Sequence, residues 1–277
     1  NNILTRSVAS RFNVSKSTCW DVLQRTAHRL LEVNRLYGII RWPYENEALE
    51  TMRTFQRSIS IPGIIGCIDG CHVKIIAPKD HPNSYVNRKK FHSVLLQGVC
   101  NEKKLFIDIY AGEPGSLHDY NLFLKSDLAE LIRTQSVTFY NNGHLIGDLA
   151  YKLSTNMLIG FKNFGNINRR EINFNKKLNS CRVEIENAFA LLKGRFRRLK
   201  FIETVRLDFI SLFIVTAAIL HNVCLLSNDL PDDIVDLNEE IREVQRNDVN
   251  EMVANEGVDN NAEQKRRNIL LNLPLDE

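Results

Sequence analysis

No two cysteines in this 277-residue chain have the Cys-x-x-Cys spacing. The six cysteines stand at 19, 67, 71, 100, 181 and 224. That scatter fits neither a zinc site nor a disulfide-dense secreted domain. Cys67 and Cys71 flank Asp69 and read as buried structural thiols. Long apolar runs are lacking too. The longest, Phe209 to Val223, is interrupted by Ser211, Thr216, His221 and Asn222, so no membrane span is expected. No secretory signal is visible. The first residue is Asn rather than Met, from which a longer natural N-terminus is expected. Together these absences describe an intracellular chain without a disulfide framework.

What is present is an ordinary globular balance, 44% hydrophobic and 25% charged residues, enough to bury one sizeable core and a small accessory unit. Net charge is only +3, but it is unevenly placed. Residues 151–200 hold 12 Lys/Arg against 3 Glu, whereas 229–277 hold 14 Asp/Glu against 5 Lys/Arg. A basic middle followed by an acidic tail suits a polyanion-binding surface with a solvated or regulatory segment after it.

The periodicity divides the chain into four parts. Residues 1–42 read as helical: Val8, Ala9 and Phe12 anchor a first helix, Asn13-Val14 turns, and Ser15 caps a second helix through Trp20 and Leu30-Leu31. This helix-turn-helix-like unit would turn Lys16, Ser17 and Thr18 toward DNA, although capped helical hairpins are also common as plain structure. Residues 43–62 are a connecting helix and linker. Within 63–228, Ile64 to Asp69 is a buried strand that Val73 to Ile76 extends, and 92–111 is a hairpin. A helix is expected from about 116 to 134, then a short strand at 144–148. Residues 152–179 read as irregular, and helices are expected over 180–199 and 207–226. The part 229–277 reads as poorly ordered, with an exposed helix over Ile234 to Val253. A three-strand meander continued through a helical crossover is an α/β arrangement, an RNase H-like mixed sheet flanked by helices.

Asp69 and Asp148 each end an apolar strand. Either one alone reads as a turn or capping residue. As a pair on neighbouring strands they could converge on one cleft and bind Mg²⁺ or Mn²⁺, which take carboxylate oxygens. On the later helix, Arg182, Glu186, Phe189 and Lys193 share a face, which favours Glu186 over Glu184 as a third acidic group. Arg182 could equally form a surface salt bridge with Glu186, worth little. Asp119, by position, reads as a helix N-terminal charge.

Six segments occur in order over about 60–226: Gly66-Cys-Ile-Asp-Gly-Cys-His-Val, Ser84-Tyr-Val-Asn-Arg-Lys, Pro114-Gly-Ser-Leu-His-Asp119, Gly147-Asp-Leu-Ala-Tyr151, Arg182-Val-Glu-Ile-Glu-Asn-Ala-Phe189 with Leu192-Lys-Gly-Arg-Phe196, and Leu220-His-Asn-Val. Together they resemble the PIF/Harbinger transposases and Harbinger transposase-derived nucleases. The resemblance implies a DDE-type DNA endonuclease with Asp69, Asp148 and Glu186 catalytic, and with Asp119 joining those three as a ligand of the divalent metal. Departures are small: Cys71 stands where Thr is frequent, Leu149 where Ser is, and Ala190 where Gly is.

Phosphate contacts are expected from Arg88, Lys89, Lys90, Arg169, Arg170, Lys176, Lys177, Arg195, Arg197, Arg198 and Lys200, with Lys16 in the N-terminal unit. The resemblance also implies a Myb-like or SANT-type protein partner and a nuclear location, with the cytoplasm as second compartment. Lys265-Arg-Arg is a weak nuclear-entry signal, and self-association is compatible with the family. The competing reading is a domesticated module that binds DNA or protein without cutting. RNA cleavage is a third, less favoured by the motifs.

Overall fold

A computed structural model describes residues 3–204, 206–229 and 259–275. Its centre is a six-stranded mixed sheet. Strands β1 (Ile64–Ile75), β2 (Ser93–Cys100) and β3 (Phe106–Pro114) form an antiparallel meander. Strand β4 (His144–Ile146) runs parallel to β1 on its other side, and β5 (Met157–Leu158) runs parallel to β4. The order is β3-β2-β1-β4-β5, and β6 (Phe201–Ile202) pairs with the far end of β1 at Lys74 and Ile75. Central position explains composition: β1 opens with a continuous buried run, and all eight residues of β2 are buried, as strands covered on both faces require.

Helices cover both faces, the layout an RNase H-like core demands. Ahead of the sheet come α1 (Ile3–Arg11), α2 (Lys16–Tyr37) and α3 (Glu45–Ile59). Between β3 and β4 lie α4 (Asp119–Lys125) and α5 (Asp127–Arg133). After β5 comes α6 (Arg169–Arg195), then α7 (Leu207–Leu226) beyond β6 and α8 (Asn260–Asn272). One apolar cluster joins Cys67, Val73 and Leu96 of the sheet to Ile185 and Phe189 of α6 and Ile214 of α7. A second, on the opposite face, joins Ile68, Val99 and Leu145 to Met52 of α3 and Leu128 of α5.

Local signals account for many boundaries. Ser15 caps α2 as expected, accepting from the Thr18 N–H at 3.0 Å, and Gly38 closes that helix at φ 59°. The helix expected over 116–134 is broken at Ser126. Its hydroxyl donates to the Phe123 carbonyl and accepts from the Ala129 N–H, ending α4 and starting α5.

Two expectations are corrected. Residues 169–179, read as irregular, are the opening turns of α6. Asn168 and Glu171 form a reciprocal capping box there, and Phe174 and Leu178 are buried. Residues 260–272 of the acidic tail form α8, because Ile269, Leu270 and Leu273 find a place in the main core. The helix expected over 234–253 lies outside the described residues. Lys265 is drawn inward, its ammonium donating to the Gly143 and Thr155 carbonyls, while Arg266 lies 4.0 Å over the Phe161 ring. Lys265 and Arg266 thus dock α8, while Arg267 stays exposed and pairs with Glu263 of the same helix.

By length and composition α7 could cross a bilayer. Here Ile210, Ile214 and Ala218 are fully buried in the main core. Its Asn222 explains the Leu-His-Asn motif. The amide accepts from the Phe106 N–H at 2.9 Å and donates to the Phe106 carbonyl at 2.8 Å and the Ile39 carbonyl at 3.0 Å. Phe106 sits at a register break between β2 and β3, where its backbone groups need side-chain partners.

Candidate metal centre

Cys67 of β1 pairs with Ile146, the last residue of β4, in parallel register. Two residues further along each chain come Asp69 and Asp148. The sheet neighbour therefore delivers the second carboxylate where β4 leaves the sheet. A tight turn fixes it: Asp148 Oδ1 accepts from the Ala150 N–H at 2.9 Å, and its carbonyl accepts from the Tyr151 N–H at 3.3 Å.

Asp119 arrives from the other side, on the first turn of α4. It lies directly over Gly70, where a Cβ would stand 2.1 Å from Asp119 Oδ1. Glycine is needed here because the carboxylate occupies that space. As a result carboxylate oxygens of Asp69, Asp119 and Asp148 all lie within 4.8 Å of one another. Asp69 is buried and the other two are half-buried. Three hard oxygen donors from three elements, partly open to solvent, fit Mg²⁺ or Mn²⁺.

Arg182 is not the surface residue that helix spacing suggested. It is buried on α6, and its Nη2 donates to Asp69 Oδ2 at 3.3 Å. One turn later Glu186 is also buried, at 5% exposure. Among the described residues Glu186 is not a member of the close carboxylate cluster, in which Asp119 is the third group. Helix α6 is held alongside β1 at two points, near its middle and near its C-terminal end. Cys181 Sγ lies 3.2 Å from Cys67 Sγ, and Lys193 donates to the His72 carbonyl at 2.9 Å. The two thiols are free, and burial first, then the neighbouring Cys67, pushes Cys181 up.

Under α4 the sheet carries unusual polar burial. Gln97 pairs across from Gly70, is fully buried, and finds no hydrogen-bond partner for its amide among the described residues. Asp108 is only half-buried as a residue, but its Oδ2 is sealed from solvent without a partner there. Burial, with the Asp127 carboxylate second, pushes its pKa up to about 7. Beside the centre opens a cleft of about 460 Å³ walled by Tyr120, Phe123, Tyr151 and Lys152 among others. Tyr120 and Tyr151, one and three residues past acidic ligand candidates, were not singled out by sequence reasoning.

The expected phosphate contacts fall into three groups. Arg88, Lys89 and Lys90 form an exposed turn built on Asn87, whose side-chain oxygen accepts from the Lys89 and Phe91 N–H groups. Lys16, Arg169, Lys176, Arg197 and Lys200 are exposed, and Lys177 is half-buried. Arg170 donates to the Leu271 carbonyl, Arg195 to Asp229 and Arg198 to Glu203.

Residues 68–222, just over half of the chain, match the family profile described as DDE superfamily endonuclease. The chain belongs to this family. It is 28% identical to human HARBI1, a nuclease by name, over 199 residues, covering 70% of this chain and 55% of that protein. Rat HARBI1 is 32% identical over 127 residues, 46% of this chain and 36% of the relative. The Arabidopsis thaliana protein named Antagonist of Like Heterochromatin Protein 1 is 25% identical over 242 residues, 82% of this chain and 60% of that protein. The chain thus spans about half the length of the curated relatives it matches. No solved structure matches it. Its place in the DDE superfamily and its likeness to HARBI1 make it a nuclease-family protein of transposase origin.

Proposed function

We propose that this DDE-family chain is a divalent-metal-dependent DNA endonuclease. The convergence of Asp69, Asp119 and Asp148 carries the reading. In it, Asp69 and Asp148 hold the metal with Asp119, and Glu186, one turn after Arg182 on α6, is the fourth member of the acidic set. Mg²⁺ or Mn²⁺ held there would supply Lewis-acid activation of water and would offset charge on the leaving oxygen. The protein's own part is to converge the carboxylates, bury Asp69, and guide the DNA backbone. The water oxygen bonds to phosphorus, the P–O3′ or P–O5′ bond breaks, and the departing oxygen takes a proton. The exposed Arg88-Lys89-Lys90 turn, with Lys16, Arg169, Lys176, Lys177, Arg197 and Lys200, would engage phosphates. Arg170, Arg195 and Arg198 would exchange the Leu271, Asp229 and Glu203 contacts for phosphate. A nuclear location and a Myb-like or SANT-type partner belong to the same proposal.

The test is plasmid nicking with Mn²⁺ or Mg²⁺. The intact chain should cut and Asp69→Ala or Asp148→Asn should not, with circular dichroism unchanged; cutting by either variant at the intact rate refutes the site. One observation favours the second reading, a silent DNA-binding module: the Arg182 guanidinium already partners Asp69. Salt-sensitive DNA binding without nicking in any divalent metal would establish that reading instead.

A further inference from the structure

Tyr151 is 1% exposed, and its hydroxyl has no hydrogen-bond partner among the described residues. Leaving a buried hydroxyl unmatched is destabilising, and phenylalanine would avoid the cost. The ring is fixed rather than free to seek solvent. It abuts Gly147, where a Cβ would stand 2.8 Å from Tyr151 Cδ2, and it meets the Phe123 ring edge-on at a centroid distance of 6.1 Å.

Both contacts tie the phenol to the acidic centre. Phe123 is four residues after Asp119 on α4, so the two share a helix face. Tyr151 closes the turn begun by Asp148, its N–H donating to the Asp148 carbonyl. The phenol lies near all three carboxylates, Asp119 first, then Asp69 and Asp148. At neutral pH an ordinary phenol is protonated. A protonated phenol is a neutral donor, so it can orient an acceptor-only carboxylate or a metal-held water without cancelling the charge that attracts a cation.

We propose that Tyr151 is a positioning residue of the acidic centre, its hydroxyl donating to the Asp119–Asp148 side of the cluster, or to a water held there, when a divalent cation binds. The inference rests on the metal-centre reading above and extends it to a group outside the carboxylate set. It gives the fixed phenol a partner that only the loaded centre provides.

Calorimetric titration of the full chain with Mn²⁺, and thermal melting with and without Mn²⁺, test it. Tyr151→Phe should weaken Mn²⁺ binding about 10-fold, the usual cost of losing a group that supports a ligand. Its metal-free melting temperature should equal or exceed that of the intact chain, because an unmatched hydroxyl is gone. A purely structural phenol would give the second result without the first. Equal Mn²⁺ affinity in the two proteins overturns the proposal. Should the Phe variant not fold, Tyr151→Met, smaller but flexible enough to fill the site, removes the hydroxyl and must show the same loss. Asp148→Asn separates the two levels. If the intact chain binds Mn²⁺ no better than Asp148→Asn, the metal centre itself is wrong and Tyr151 falls with it. If Asp148→Asn loses binding while Tyr151→Phe keeps it, only the role of Tyr151 is wrong.

Discussion

Arg182 Nη2 donates to Asp69 Oδ2 at 3.3 Å, and both side chains are under 10% exposed. A guanidinium on α6 thus compensates the most buried carboxylate of the acidic cluster. Taking away one partner of a buried pair leaves an uncompensated charge, typically at a cost of about 3–5 kcal/mol. Arg182→Met should therefore lower the urea midpoint of the metal-free protein strongly. Because Mn²⁺ would supply the missing positive charge, saturating Mn²⁺ should restore more stability to this variant than to the intact chain. An equal Mn²⁺ increment in both would separate Arg182 from the metal centre.

Gly70 leaves the space that Asp119 fills. A Cβ there would sit 2.1 Å from Asp119 Oδ1, the end of a side chain that can move. Gly70→Ala should therefore fold, at a cost of about 1–3 kcal/mol for overpacking. Mn²⁺ affinity should fall at least as far as in Asp119→Asn. Unchanged affinity would show that Asp119 is not needed.

Asp108 predicts a pH dependence. Its pKa is raised to about 7, so the folded protein binds a proton more tightly than the unfolded chain between about pH 4 and 7. The sign follows: this stabilisation is fully present at acid pH and is lost as pH rises through 7. Asp108→Asn should stabilise the protein at pH 8, on the order of 2–4 kcal/mol, and change little at pH 4. Denaturant melts at the two pH values decide it, and an equal effect at both would contradict the burial argument.

Asn222 pins α7 to the register break at Phe106 and to the Ile39 carbonyl. Asn222→Leu leaves those backbone groups unmatched and should destabilise by about 2–4 kcal/mol. Amide exchange at Phe106 should quicken more than exchange at the centre of β2. Uniform quickening would mean that Asn222 acts by global stability alone.

Some of this was legible residue by residue. Ser15 before an apolar-periodic run names a helix start because its hydroxyl need reach only Thr18. The run Ile64 to Ile68 names a central strand because both faces are covered. The start of α6 is equally local, since Asn168 and Glu171 spell a capping box, but the polar residues around it mask the helical period. Asp119 is a different case. Its own surroundings say only that it opens a helix, and it became a ligand candidate through resemblance.

What the sequence determined alone is whatever depends on neighbours within a turn or a strand: periods, caps, breaks, and the apolar runs that must be buried. Tertiary structure decided which distant groups share space. The parallel pairing of β4 with β1 brings Asp148 beside Asp69, the crossing of α4 above Gly70 brings Asp119, and the packing of α6 on β1 turns Arg182 inward. Charge pairing and ligand geometry act over a few ångströms in space, whatever the separation along the chain, and local patterns carry no record of that separation.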